Sequence, residues 1–396
     1  LDRFYTAPIS TPTRAGLMTG RYPNRFGIRT TVIPPWREDG LDENEETLAD
    51  MLARNGYSNR AIIGKWHLGH TRKVHYPINR GFSHFYGHLN GAIDYFDHMR
   101  EGELDWHNDW ETCYDKGYST ELITQEAVRC INTYEKEGPF LLYVAYNAPH
   151  TPLQAQEKDI ELYCDDFGSL TPKEQKRVTY QAMVSCMDRG IGTIVDALKK
   201  KGIMDNTFLI FFSDNGPAGV PGSSSGKLRG RKFDEWDGGV RVPAVFYWKR
   251  AESNYKNLSS QVTGFVDIVP TLKELVGDKN RPERAYDGIS ILPLLIGSTS
   301  CIDRNFYLGC GAVVNKDYKL IRKGRKPGLN LPQDFLVDYQ TDPYEKKNAS
   351  NGNEQIVRSL YQVALKYDTI TPCLPEIPYG KGREGFKAPV EWKVTR

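Results

Sequence analysis

The sequence predicts an α/β fold: a mixed, mostly parallel sheet covered by helices on both faces, followed by a smaller C-terminal antiparallel α+β subdomain. Three observations carry this. Apolar strand-like runs alternate with amphipathic helical runs through the first three quarters of the 396 residues, the pattern of parallel strands joined by helical crossovers. The runs 140–146 and 207–213 are continuously apolar, as strands buried on both faces are. After about Asp303, short strand-like pieces are separated by Gly, Pro, Asn and Asp. The expected division is 1–303 for the main domain, with its first strand upstream of Leu1, and 304–396 for the subdomain.

Each element has its own local reason. Asp42 caps a helix to about Asn55, with Leu48, Met51 and Leu52 on one face and Gly56 as its stop. Residues 60–63 form a strand leading into Gly64-Lys65-Trp66-His67. Ser119 or Thr120 opens a helix that ends near Gly138, and 140–146 follows as a buried strand. Thr171-Pro172-Lys173-Glu174 is a capping box with proline at the first helical position, opening a long helix toward Gly202. Strands at 207–213 and 244–248 complete the main sheet. Beyond Asp303, strands near 306–309, 318–322 and 335–338 precede a helix at 354–367 and a proline-rich tail. No internal repeat or low-complexity segment interrupts this order.

Composition narrows the function. Hydrophobic residues at 39% and charged residues at 26% suit a folded globular chain. A net charge of +2 supplies no global field for nucleic acid or a membrane surface, so any anion recognition is local. No apolar run is long enough to span a bilayer. No secretory leader is visible, and the abrupt start at Leu1 leads us to expect upstream residues. Seven cysteines without CxxC spacing argue against a zinc site, and their odd number leaves at least one thiol free or paired between chains. Cys130 and Cys186 fall in helical patterns, as small core residues do.

Several separated segments carry candidate chemistry. Ser10-Thr11-Pro12-Thr13-Arg14 alone is a turn with a proline and an arginine. Gly64-Lys65-Trp66-His67 sets a lysine and a histidine two apart at a strand end, where both point to one face. His150 lies between Pro149 and Pro152, which stiffen its turn. Ser213-Asp214-Asn215-Gly216 ends an apolar strand; it is an ordinary turn by itself, but its oxygen donors suit a hard divalent cation. Ligands bind beyond the carboxyl ends of strands in such sheets, which favours His150, Asp214 and Asn215 as site residues. Arg229-Gly230-Arg231-Lys232-Phe233, leading to Trp236-Asp237-Gly238-Gly239, is a basic, glycine-rich loop.

Taken in order, these segments resemble the signatures of the type I, formylglycine-dependent sulfatases, which implies an alkaline-phosphatase-like fold. Ser10 stands at the first position of the (Cys/Ser)-x-Pro-x-Arg signature. The resemblance implies that a formylglycine-generating maturase oxidises it to an aldehyde, whose hydrate attacks sulfur; an ordinary serine hydroxyl is a weak nucleophile. It further implies that Arg14 orients the nucleophile and that Lys65 and His67 stabilise the hydrate. His150 would bind sulfate and protonate the leaving alcohol, and Lys232 would contact the sulfate. Asp214, Asn215 and residue 10 would hold Ca2+ or Mg2+, with an aspartate pair on the upstream strand completing the site. These cationic groups suit an anionic transition state. The family usually has glutamate where Asp237 stands.

Within the family the chain looks most like the N-acetylgalactosamine-4-sulfatases (arylsulfatase B). The resemblance lies in Tyr5-Thr6-Ala7-Pro8, Arg80-Gly81-Phe82, the segment 91–98 and Leu228-Arg229-Gly230-Arg231-Lys232. Serine at position 10 implies a bacterial member matured by the oxygen-independent route, or a Cys→Ser substitution. The implied activity is removal of sulfate from a sulfated carbohydrate, of glycosaminoglycan or other glycan type, in the periplasm or outside the cell. His88, Asn90, Asp94, Tyr95 and His98 are candidates for the sugar subsite, with plain packing as the even alternative. Two other readings stay open: a phosphate or phosphonate monoester hydrolase, and a non-catalytic binder of sulfated glycans in which Ser10 is not oxidised.

Overall fold

The computed structural model describes residues 1–254, 261–325 and 329–394. The chain passes back and forth between two units. One contains Leu1–Val32, Phe208–Gly219 and Ser224–Pro378; the other contains Ile33–Thr207, Val220–Ser223 and Tyr379–Arg396. Among the described residues, no helix is long and apolar enough to cross a membrane.

The unit built around residues 33–207 holds a five-stranded sheet. Asn59–Lys65 lies at its centre, parallel to His84–His88 on one side and to Phe140–Ala145 on the other. A hairpin of His107–Asn108 and Glu111–Thr112 extends it in antiparallel sense. Gly64 (φ +103°) pairs with both Gly87 and Ala145. A Cβ on Gly64 would lie 2.2 Å from the Ala145 carbonyl oxygen, so only glycine fits there. The long helix Pro172–Lys201 begins at the expected Thr171 capping box and stops at Gly202, φ +74°. It packs on the helix Ser119–Thr133.

Two helix boundaries differ from expectation. The helix expected from Asp42 is Leu48–Arg54, capped by a reciprocal Thr47–Asp50 box. Asp42 instead accepts the Asn44 N–H within a turn, the local alternative that short acidic side chains offer the backbone. The helix from Ser119 ends at Thr133 rather than near Gly138, because Glu135 to Gly138 close a turn of their own.

The other unit is less parallel than the sequence suggested. Phe4–Tyr5 lies between Arg241–Val242, antiparallel, and Thr263–Gly264, parallel. Leu209–Phe212 pairs antiparallel with Ala244–Tyr247. The Leu209–Phe212 and Phe140–Ala145 strands were expected to be buried on both faces but are half-buried. Among the described residues, each is paired along one edge only. The C-terminal sheet is antiparallel throughout: Phe306–Gly309, Ala312–Val314, Tyr318–Ile321 and Phe335–Asp338. The sequence reading passed over Ala312–Val314. The helix Glu354–Asp368 covers this sheet through Leu360 and Ala364, in one core with Tyr5, Tyr22, Trp236 and Phe265. Cys130 and Cys186 are buried in their helices.

Candidate active site

Ser10 is the first residue of the helix Ser10–Thr19, whose ten residues are all buried. Gly16 lets the helix lie against Phe265, since a Cβ there would sit 2.1 Å from the ring. No acidic side chain of the helix itself occupies the first turn; the negative charge at its positive end comes from Asp214. Arg14, one turn on, donates from Nε to Ser10 Oγ at 3.1 Å and from Nη2 to Asp214 Oδ2 at 3.2 Å. Ser10 Oγ donates to that same Asp214 oxygen at 2.7 Å. Thr13 Oγ1 accepts from the Ala7 N–H and donates to the Asp214 carbonyl, which ties the turn after Leu209–Phe212 to the helix.

Asn215 follows, its Nδ2 donating to the Gly216 carbonyl. Its Oδ1 is buried without a hydrogen-bond partner among the described residues. A buried carboxamide oxygen left unsatisfied beside a carboxylate fits a hard cation, which takes oxygen donors. Asp214, Asn215 and the residue-10 oxygen are therefore a donor set that Ca2+ or Mg2+ would accept.

Lys232 belongs to the same unit. Its N–H donates to Pro217 O, and the Phe233 N–H donates to Pro8 O, both at 2.9 Å. Burial pushes the Lys232 ammonium down from its ordinary pKa; Asp214 opposes that and Arg14 adds to it. The loop carrying it closes backbone on backbone. A Cβ on Gly216 would lie 2.0 Å from the Gly238 carbonyl, and one on Gly238 would lie 2.3 Å from the Gly230 carbonyl. Asp237 has a structural task that the sequence reading missed. Fully buried, it accepts from Lys319 Nζ (2.9 Å) and Tyr339 OH (3.0 Å), while its N–H donates to Glu345.

Ser10, Arg14, Asp214, Asn215 and Lys232 thus share one unit, and the first three are in direct contact. The remaining site residues from the sequence reading lie in the other unit. Lys65 is buried and pairs in register with His88. His67 follows with a left-handed backbone, φ 61°, its N–H on Leu89 O and its ring against Gly91. Histidine is tolerated there better than bulky side chains, and such outliers gather at functional sites. His88 Nδ1 lies 2.9 Å from Asn90 O. His150 Nδ1 lies 2.8 Å from Thr151 O. A carbonyl only accepts, so Nδ1 of His150 carries a proton and Nε2 is the basic nitrogen of the neutral ring. The Ala148–Pro149 and Thr151–Pro152 bonds flanking it are both cis.

Three of the sugar-subsite candidates, His98, Asp94 and Tyr95, have partners within their own unit. His98 stacks on Trp106 at 4.4 Å, and its Nε2 lies 3.1 Å from the Gly117 carbonyl. Asp94 accepts the N–H groups of Phe96 and Asp97 and the Gln154 amide, which organises its own loop. Tyr95 is likewise buried, its hydroxyl on the His150 carbonyl.

The sequence reading missed Asp105, which gathers the Leu89 and Asn90 N–H groups, the Asn90 amide and His107 Nε2. Burial opposes its ionisation, but His107 and these donors hold it well below the usual carboxylate range. Asn147 was missed as well. It is buried at the end of the Phe140–Ala145 strand, both side-chain polar atoms lack partners among the described residues, and its carbonyl accepts the His150 N–H. An asparagine closing an apolar strand just before the Pro-His turn was the available signal.

Comparison with known proteins gives the family. Residues 1–278 match the sulfatase family model. The chain is 35% identical over 301 residues to arylsulfatase J of Mus musculus, covering 74% of this chain and 49% of that protein. It is 32% identical over 318 residues to N-acetylgalactosamine-6-sulfatase of Mus musculus, covering 74% and 58%. The chain spans about half the length of the curated relatives it matches. The crystal structure of Ps i-CgsB in complex with k-i-k-neocarrahexaose matches with a TM-score of 0.83 at 29% identity, covering 95% of this chain and 86% of that one. The fold is accordingly alkaline-phosphatase-like, with mixed sheets and a separate antiparallel sheet near the C-terminus. A match over the first 278 residues that takes in Ser10, Asp214 and Lys232, together with two relatives above 30% identity, places the chain in the sulfatase family.

Proposed function

We propose that this chain hydrolyses sulfate monoesters of carbohydrates, with residue 10 as nucleophile after oxidation to formylglycine. The supporting observation is the contact of Ser10 Oγ with Asp214 Oδ2 and Arg14 Nε at the start of a buried helix. Maturation would remove two hydrogens from the Ser10 CH2OH by way of a maturase. As a hydrate, residue 10 supplies one oxygen to attack sulfur and a second to expel sulfate. A Ca2+ or Mg2+ ion held by Asp214 and Asn215 would draw charge from the sulfate oxygens.

The chain's own groups do the rest. Asp214 receives the proton that residue 10 loses, along the hydrogen bond already formed. Arg14 holds the nucleophilic oxygen in orientation. Lys232, with Lys65, offsets charge on the sulfate oxygens. His150 gives a proton to the sugar hydroxyl as the S–O bond breaks, which requires its Nε2 to be protonated in the enzyme–substrate complex. His67 takes a proton from the second hydrate oxygen as sulfate departs. We further propose 1–303 as the catalytic domain and 304–396 as its supporting subdomain, working in the periplasm or outside the cell. A sulfated glycan of glycosaminoglycan type is the substrate class supported by the likeness to N-acetylgalactosamine-6-sulfatase.

Protein co-expressed with a maturase tests this. The peptide containing Ser10 should lack two hydrogens, and sulfate esters should turn over faster than matched phosphate esters. An unmodified Ser10 in active protein, or a preference for phosphate, would overturn the reading.

A further inference from the structure

We propose that His84, Glu126 and Cys130 form a transition-metal site, suited to Zn2+, that clasps the His84–His88 strand to the Ser119–Thr133 helix. It shares no residue with the oxygen-donor set of Asp214, Asn215 and residue 10.

Glu126 and Cys130 stand one turn apart, i and i+4, on one face of the helix. His84 opens the strand beside it. One donor atom from each of the three lies within 4.8 Å of the other two. His84 Nε2 is 2.6 Å from Glu126 Oε1, and Cys130 Sγ is 3.8 Å from that same oxygen. An ion bonded at about 2.0–2.3 Å to nitrogen, oxygen and sulfur reaches all three after small side-chain adjustments. Cys130 is buried, and the His84 and Glu126 side chains are mostly so. Cysteine spacing missed the cluster because its ligands come from two elements and three residue types.

The donor chemistry selects the ion. Thiolate, imidazole and carboxylate together suit Zn2+, whereas Ca2+ and Mg2+ take oxygen ligands. His84 also has the support such a ligand needs. Its Nδ1 lies 2.9 Å from Asp109 Oδ1, a carboxylate–histidine pair that fixes the ring with Nε2 toward the ion. In metal-free protein both ring nitrogens face carboxylate oxygens, which only accept, so both carry protons. Zn2+ displaces the Nε2 proton and the Cys130 thiol proton; two positive charges leave as one doubly charged ion enters, and water takes the fourth position. Arg129 is the competitor. Its Nε donates to Glu126 Oε2 (2.7 Å) and its Nη2 to Oε1 (2.5 Å). Nη2 must leave Oε1 while Nε keeps Oε2, and a side chain 54% exposed has room for that swing.

Metal titration tests this without depending on turnover. Chelator-stripped full chain, held in excess Ca2+ to fill oxygen-donor sites, is titrated with Co2+ and then Zn2+. One Co2+ per chain should produce the intense near-ultraviolet band of thiolate-to-cobalt charge transfer, and Zn2+ should abolish it. Cys130→Ser is expected to lose the band. Asp109→Asn should weaken Zn2+ binding by about 10–100-fold, and Arg129→Gln should tighten it by removing the competing cation. A wild type that shows no such band overturns the proposal, whatever the variants do. So does a band that persists in Cys130→Ser, or weaker Zn2+ binding by Arg129→Gln.

Discussion

Asp214 Oδ2 accepts from both Ser10 and Arg14, so one oxygen couples the proposed nucleophile to the cation proposed to orient it. Asp214→Asn keeps the shape but cannot take the proton. It is expected to lower kcat for sulfate release by about 10²–10⁴-fold with little change in Tm. Asn215→Ala removes the unpartnered buried oxygen, and should lower bound Ca2+ or Mg2+ per chain, measured by elemental analysis. These residues were legible because their chemistry is local: a five-residue signature, and a carboxylate with a carboxamide at a strand end. Asn147 and Asp105 were not, because each gains its meaning from donors or vacancies that only the folded chain supplies.

At the scale of elements, the turn after Leu209–Phe212 depends on backbone closeness that no side chain tolerates. Gly216→Ala would push a methyl into the Gly238 carbonyl and should cost about 1–3 kcal/mol in denaturant unfolding. A second test concerns His84, which joins the His84–His88 strand to the Ser119–Thr133 helix. It contacts Asp109 (2.9 Å) and Glu126 (2.6 Å). Burial alone would lower its pKa, but hydrogen bonds to Cys130 and Glu126 and the charge of Asp109 raise it to about 10. Stability from this group is complete below the ordinary value of 6.5 and is lost as pH rises through about 10. Unfolding measured across that range should show the loss in wild type and not in His84→Gln. Strands and caps were readable where one local pattern sufficed, as at Thr171. The Asp42 cap failed because Thr47 and Asp50 satisfy each other closer to the apolar stripe.

For the molecule as a whole, the C-terminal sheet supports the loop that carries Lys232. Lys319 Nζ, fully buried, bridges Asp237 Oδ1 (2.9 Å) and Glu345 Oε1 (2.8 Å). Lys319→Met removes the cation shared by Glu345 and Asp237, Asp237 keeping Arg241 at 3.4 Å, and is expected to destabilise by about 3–5 kcal/mol in denaturant titration. The change in sequence texture near Asp303 reports a change of secondary structure, yet Phe306 and Val313 share a core with Tyr5 and Trp236. Such long-range partnership leaves no local trace, which is why the alternation of elements was readable and the strand pairing only partly so. In the proposed reaction an oxidised residue 10 beside Asp214 cleaves sulfate from carbohydrate. Sulfate released from a sulfated oligosaccharide by maturase-treated protein tests it most directly. Wild type should release sulfate steadily and Ser10→Ala none; equal release by both, or none by a wild type carrying the aldehyde across a panel of sulfated glycans, would refute residue 10 as the nucleophile.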